Sequence, residues 1–120
     1  MPFKVVFLAH APDADGERDR SVIDTGMLRL LSIVVKDQAE ALEVCGDYVT
    51  RENIDSIVLC PGFAHSDVAE IARLVGRDVA VCVARGDGPS GRASREARKG
   101  AGYLTKGTGS QASVSRYGRE

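Results

Sequence analysis

The chain has 120 residues, which is enough for one domain with a single hydrophobic core. Its 16 lysine and arginine residues oppose 17 aspartate and glutamate residues, and the net charge of −1 gives no basic surface for a nucleic acid. No segment approaches the about 18 consecutive apolar residues of a membrane span, so we expect neither a nucleic acid nor a membrane as a partner.

The first predicted element is a buried strand over residues 3–9, FKVVFLA, because this segment is short, apolar and rich in β-branched side chains. The connection that follows contains Asp13, Asp15, Gly16 and further charges up to Arg20. It predicts an extended loop or a short helical turn. A second strand is predicted over Leu28–Val35.

The middle of the chain predicts two helices with a strand between them. The helices cover residues 37–52 and 67–75, where apolar residues recur at helical spacing, and the strand covers residues 55–60, DSIVLC. Both helices begin with Asp-x-x-Glu, so Asp37 and Asp67 are expected at the N-cap, with the Glu reaching back to the backbone. Gly76 is predicted to end the second helix.

The last third of the chain predicts a fourth strand over residues 78–84 and a short helix over residues 93–99. From residue 105 the sequence is rich in glycine and serine and has no hydrophobic period. We therefore predict one α/β domain over residues 1–104 and a flexible tail over residues 105–120.

Alternation of strands and helices predicts the arrangement of the sheet. Right-handed crossovers pair the second, third and fourth predicted strands in parallel, whereas the direction of the first strand stays open. The predicted fold is α/β, a small, open, mostly parallel four-stranded sheet with two or three helices. Two good helices cover little more than one face of such a sheet, so we expect a homo-oligomer that covers the other face. The alternative is that the third helix and the long first loop cover it.

The three cysteines, Cys45, Cys60 and Cys82, lie in apolar periodic segments and form no CxxC pair. This usage predicts reduced core thiols in a cytoplasmic protein, and the N-terminal segment leads directly into a strand pattern that does not resemble a signal peptide. Cys60 comes before Pro61 at a strand end, so we expect no cysteine nucleophile.

Three predicted strands end in polar segments rich in turn residues. These segments are HAPDAD at residues 10–15, PGFAHSD at 61–67 and RGDGPSGR at 85–92. In an open parallel sheet, ligands bind at the carboxyl ends of the strands. If the first strand is parallel to the others, that edge is expected to hold His10, Asp13, Asp15, His65, Arg85, Asp87 and Ser90.

The histidines have both a chemical and a structural interpretation. His10 or His65 would serve as general acid or base near neutral pH, whereas His10 would otherwise bond a loop carbonyl. A metal held by both histidines and an aspartate has no supporting spacing pattern, so no metal site is predicted and no cofactor is identified.

The remaining polar residues of these loops are assigned to ligand binding or to turns. Arg85 would bind an anionic ligand or pair with Asp87 over the glycine-rich turn, and Asp13 and Ser90 are further candidate ligand-binding residues. Asp15 is expected to form a turn by accepting a backbone N–H two residues on.

Three segments resemble an uncharacterised family of small bacterial and archaeal proteins. They are HAPDAD, IVLCPGFAHSDVAEIA at residues 57–72 and VARGDGPS at residues 83–90, and the resemblance covers about residues 3–103. The resemblance implies that the three loops are the distinctive part of the family. It implies no activity, and the segment from about residue 105 departs from it.

These observations support three functional hypotheses. The first is a small enzyme that acts on a compact anionic metabolite at the strand ends. The second is a non-catalytic binding or regulatory module that holds the same kind of anion. The third is a structural subunit of an oligomer without a ligand.

Overall fold

Apolar strands and helices alternate along the chain in a computed structural model that describes residues 1–86 and 88–103. In chain order the elements are β1 (Phe3–His10), β2 (Arg20–Asp24), β3 (Leu28–Val35), α1 (Gln38–Glu52), β4 (Ser56–Leu59), α2 (His65–Val75), β5 (Ala80–Val83) and α3 (Gly88–Gly100). The predicted tail, residues 105–120, lies outside the described residues.

The strands form one open sheet with the order β2-β3-β1-β4-β5. β1 is parallel to both of its neighbours, and β4 is parallel to β5, whereas β2 is antiparallel to β3. The predicted mostly parallel α/β fold is confirmed, with five strands where the sequence predicts four. The direction of the first strand, which the sequence leaves open, is parallel.

The additional strand, β2, corrects the prediction of a loop or a helical turn after residue 9. Its side chains Val22 and Ile23 are 49% and 56% exposed, because β2 is an edge strand that pairs only with β3. The turn to β3 contains Gly26 at φ 97°, in the left-handed region that favours glycine.

The order of the parallel strands also differs from the prediction. β4 and β5 are neighbours as predicted, but β1 lies between β3 and β4. A right-handed crossover makes two strands parallel without requiring them to be adjacent, since the crossing helix can pass over a strand that is already in place.

One face of the sheet forms the hydrophobic core with α1 and α2. Leu8, Ile57 and Leu59 of the strands are at most 1% exposed, and they belong to one cluster with Cys45 of α1 and Ile71 of α2. The two helices are joined at the end of the core by Gln38, whose Nε2 donates to the Asp67 carbonyl oxygen (3.1 Å) and the Glu70 carboxylate (2.9 Å).

The opposite face of the sheet, here called the open face, carries the outward side chains of all five strands. It consists of the odd residues 3–9 of β1, the odd residues 21–23 of β2, and the even residues 28–34, 56–58 and 80–82 of β3, β4 and β5. Phe7 at its centre is 37% exposed. α3 has no large apolar side chain and no buried residue, while Val5 and Ser56 on the open face are 8% and 7% exposed.

Two helix boundaries correct the predictions. α2 begins at His65 with Ala64 as its N-cap, and Asp67 lies three residues further on, where its carboxylate accepts the Ala64 N–H at 3.0 Å. α3 begins at Gly88, five residues before the predicted start. Gly76 ends α2 as predicted, at φ 84°.

The start of α1 agrees with the prediction and also anchors the loop after β1. Asp37 is the N-cap and accepts the Glu40 N–H at 2.9 Å. The Glu40 carboxylate in turn accepts the backbone N–H groups of Lys36 and Gly16, each at 2.9 Å. One side chain therefore holds the helix start and the β1–β2 connection together.

Replacement of Glu40 by alanine is expected to lower the free energy of unfolding by about 1–2 kcal/mol, because two backbone donors lose a charged acceptor. Urea denaturation measures this change. The matched control is Glu43→Ala in the same helix, whose exposed side chain should contribute less than about 0.5 kcal/mol. Equal losses in the two variants would contradict the role given to Glu40.

The three cysteines differ in environment, although the sequence predicts three core thiols. Cys45 is buried, and burial raises the pKa of its thiol to about 12. Cys60 is half-buried, whereas Cys82 is exposed on the open face. All three are free thiols.

No helix among the described residues has the length and apolar character needed to cross a membrane.

Candidate functional site

The chain changes direction within the sheet between β1 and β4. From β1 it continues through β2 to β3 on one side, and from β4 it continues through α2 to β5 on the other side. Connections that leave neighbouring parallel strands in opposite directions open a crevice at their carboxyl ends, which is where ligands bind in open α/β sheets. β1 ends in this crevice at His10.

His10 is a buried polar residue at the end of β1. Its side chain is on the core face with Leu8, the residue as a whole is 7% exposed, and its ring stacks on Phe63 with 3.9 Å between centroids and 29° between planes. Both ring nitrogens are buried, and neither has a hydrogen-bond partner in the part of the chain that the structure describes. The loop carbonyl considered for His10 from the sequence is therefore not its partner there.

Burial determines the charge of this imidazole. Desolvation lowers the pKa of His10 from 6.5 to about 4, against the opposing effect of the Asp67 and Asp37 carboxylates. The ring is therefore neutral near pH 7, with one N–H donor and one nitrogen acceptor. A buried donor or acceptor without a partner costs about 1–3 kcal/mol, and in native structures such a group calls for an explanation.

Two loops lie beside the imidazole and pack closely on each other. A Cβ placed on Gly62 would be 3.7 Å from His10 Nδ1 and 3.6 Å from Cys60 Sγ, so the β4–α2 loop lies against the ring. A Cβ on Gly86 would be only 2.6 Å from Pro61 Cβ, so the loop after β5 packs on the β4–α2 loop. The predicted convergence of the strand-end loops is thus observed for these backbone segments.

Both core helices begin at the same edge of the sheet, since α1 follows β3 and α2 follows β4. Their N-termini carry partial positive charge toward this edge. Gln38 at the start of α1 is half-buried, and its Oε1 is another buried polar atom without a partner among the described residues. The N-terminal ends of the helices therefore border the crevice together with His10.

The second histidine is in a different environment. His65 is exposed and is the first residue of α2. From the sequence, His10 and His65 are alternative candidates for the general acid or base. Among the described residues, only His10 combines burial with two unpartnered ring nitrogens.

The other predicted site residues are at the surface of this edge. Asp13, Arg85 and Ser90 are exposed, while Asp87 lies outside the described residues. Asp15 Oδ1 accepts the Glu17 N–H at 2.9 Å, which is the two-residue turn that the sequence predicts.

Within residues 1–86 and 88–103, no group of three or more histidine, cysteine, aspartate or glutamate side chains is arranged to hold a metal ion.

Two residues of the crevice are missed by sequence reasoning. Phe63 stacks on His10 and is 1% exposed, and its position after Pro61-Gly62 was the available signal. Gln38 gave no signal, because its importance depends on the distance between two helices that are far apart in sequence.

The model of a protein family described as a family of unknown function (DUF6506) matches residues 3–99. This range agrees with the resemblance noted over about residues 3–103. Neither the curated proteins nor the solved structures contain a match to the chain.

Proposed function

The chain belongs to a family of unknown function, DUF6506, and we propose that it binds a compact anionic metabolite in the crevice at the carboxyl ends of β1 and β4. The observation that carries this proposal is His10, a buried imidazole with no described partner. It lies where the chain changes direction within the sheet, between β1 and β4. A ligand oxygen that accepts the imidazole N–H would satisfy this donor. The ligand would thereby remove a cost that the free protein bears.

The helix N-termini support a negative charge on the ligand. Two of them border the crevice, and their partial positive charges stabilise an anion. The Asp37 and Asp67 carboxylates accept backbone N–H groups at 2.9 and 3.0 Å, and their negative charge offsets part of this effect. Arg85, in the loop after β5, adds a cation at the same edge.

Close packing of the surrounding loops supports a small ligand. The contact between Gly86 and Pro61 leaves no room even for a methyl group, and Phe63 occupies one face of the His10 ring. Gly62, where a Cβ would lie 3.7 Å from His10 Nδ1, leaves only the space of a missing side chain beside the ring.

Catalysis is the second candidate function, and the lowered pKa of His10 favours one role in it. An imidazole that is neutral at pH 7 can accept a proton as a general base, whereas it seldom carries the proton that a general acid must donate. The alternative role for His65 and the ligand contacts of Asp13, Arg85, Asp87 and Ser90 stay predictions.

Two further observations support the predicted location and oligomeric state. Three thiols without a disulfide support a cytoplasmic location, and the open face supports a homo-oligomer.

Sulfate is the probe that tests the proposed site, because its charge does not change between pH 5 and 7. An anion beside His10 stabilises the imidazolium, so binding should raise the pKa of His10 from about 4 and take up a proton. We expect sulfate affinity, measured by calorimetry against chloride at equal ionic strength, to be about tenfold higher at pH 5.5 than at pH 7.

The histidine variants separate the two candidate residues. His10→Gln should bind sulfate weakly and without this pH dependence, whereas His65→Gln should retain it. If the sulfate affinity loses its pH dependence in His65→Gln and not in His10→Gln, the anion binds at the exposed N-terminus of α2. Sulfate binding by wild-type protein no tighter than chloride binding would overturn the proposal.

A further inference from the structure

The open face carries several exposed large apolar side chains. Phe3, Phe7 and Ile23 are 53%, 37% and 56% exposed, although parallel sheets are normally covered on both faces. The helices α1 and α2 occupy the other face, and α3 has no large apolar side chain to contribute. No described helix buries Phe3, Phe7 or Ile23, although Val5 and Ser56 on the same face are 8% and 7% exposed.

The open face has no charged side chain at any strand position. Its outward residues are all aliphatic or aromatic side chains, serines, alanines or a cysteine. A sheet face in contact with water normally alternates apolar and polar residues with charges among the polar ones. A face without charge is complemented by another face without charge, and it offers few polar groups that would select a different protein.

The area of the open face suits a dimer. With strands about 4.8 Å apart and about 3.3 Å per residue, the 29 strand residues cover roughly 450 Å² in each copy. Two such flat faces together bury roughly 900 Å², and the side chains that protrude from them add to this area. The total buried area thus approaches the roughly 1,000 Å² of a specific interface.

The sequence outside the described residues is poor in large apolar side chains. Residues 104–120 include only three large apolar side chains, Leu104, Val114 and Tyr117, whereas the open face has a broad apolar surface over five strands. A second copy supplies a matching face in equal amount and closes the contact by a two-fold axis.

We propose that the open face of one chain packs on the open face of a second copy to form a two-fold symmetric dimer with a core of two sheets. The helices α1 and α2 of both copies then lie on the outside. His10 is on the helix side of the sheet, away from the proposed dimer interface.

Sedimentation equilibrium of the full chain over a range of micromolar concentrations tests this arrangement. Wild-type protein should be a dimer that dissociates on dilution. Phe7→Lys places a charge at the centre of the open face and should weaken the dimer at least about 30-fold, as expected for a central interface residue. The matched control is Leu74→Lys on α2, where a side chain that is 50% exposed lies away from the open face and the mass should not change.

The reactivity of Cys82 gives a second measurement, made on the wild-type protein and compared with Phe7→Lys. This thiol is exposed in the single chain and lies on the open face in register with Val58 and Phe7. Its alkylation should slow several-fold as the concentration of wild-type protein rises, and the rate should not depend on concentration in Phe7→Lys. A monomer at all concentrations, or a dimer that leaves Cys82 equally reactive, would overturn the proposal.

Discussion

Wild-type protein is expected to lose about 3 kcal/mol of unfolding free energy between pH 6.5 and pH 4, in chloride buffer and at one protein concentration. The pKa of His10 is about 4 in the folded chain and 6.5 when the ring is exposed. Above pH 6.5 the ring is neutral in both states, so it contributes no pH dependence. Between the two values the unfolded chain binds the extra proton, and stability falls by about 1.4 kcal/mol for each pH unit.

Urea denaturation at several pH values measures this loss, and two variants identify its origin. His10→Leu should show little change over the same window, and it should be at least as stable as wild type at pH 7 because an unpaired buried polar group is removed. His65→Gln should retain the full loss. Asp19, whose pKa the Arg18 hydrogen bond lowers to about 2, titrates below this window. An unchanged acid loss in His10→Leu would contradict the environment assigned to His10.

The same linkage connects stability to the proposed ligand. If sulfate binds beside His10, it stabilises the imidazolium and opposes the acid loss. Sulfate should therefore raise the melting temperature more at pH 5 than at pH 7, and only while His10 is present. A ligand bound elsewhere would stabilise His10→Leu equally.

Local sequence patterns were sufficient for the elements that form the core. The apolar runs that become β1, β3 and β4 alternate with helical spacing in α1 and α2, and these patterns reflect burial that the structure confirms. β2 was missed because its sequence, RSVID, lies at an edge where exposed and charged residues are tolerated. Edge strands depend on a neighbour for their hydrogen bonds, and no local signal specifies that neighbour.

The candidate site could be located from the sequence, but its chemistry could not. The ends of parallel strands meet at one edge, so the crevice followed from the strand assignments. The state of His10 depends on Phe63, which lies 53 positions later and covers the ring. Similarly, the Asp-x-x-Glu pattern predicts Asp67 at the N-cap, although the helix begins at His65. Asp67 lies inside the first turn, and its carboxylate accepts the N–H of the N-cap residue, Ala64.

Replacement of Phe63 by alanine is expected to cost about 3–5 kcal/mol, because the ring is among the largest fully buried side chains and its loss leaves a cavity. The same change removes the ring that covers His10 and admits water to it. The pKa of His10 should then rise from about 4 toward 6.5, since desolvation is the largest cause of its lowering. Imidazole proton resonances followed by NMR measure this pKa directly.

Ile57→Ala separates the effect of the Phe63 ring from a general loss of core packing. Ile57 is also 1% exposed, but it pairs with Val6, four residues before His10, so its removal should cost about 2–5 kcal/mol and leave the pKa of His10 near 4. Phe63→Leu, at about 1 kcal/mol, keeps more of the core and should raise the pKa by a smaller amount. If the pKa of His10 rises equally in Ile57→Ala, its value reflects the stability of the whole core, because loosening at any point then admits water. A rise confined to the Phe63 variants assigns the lowered pKa to the stacked pair, and with it the neutral, unpartnered imidazole on which ligand binding in the crevice depends.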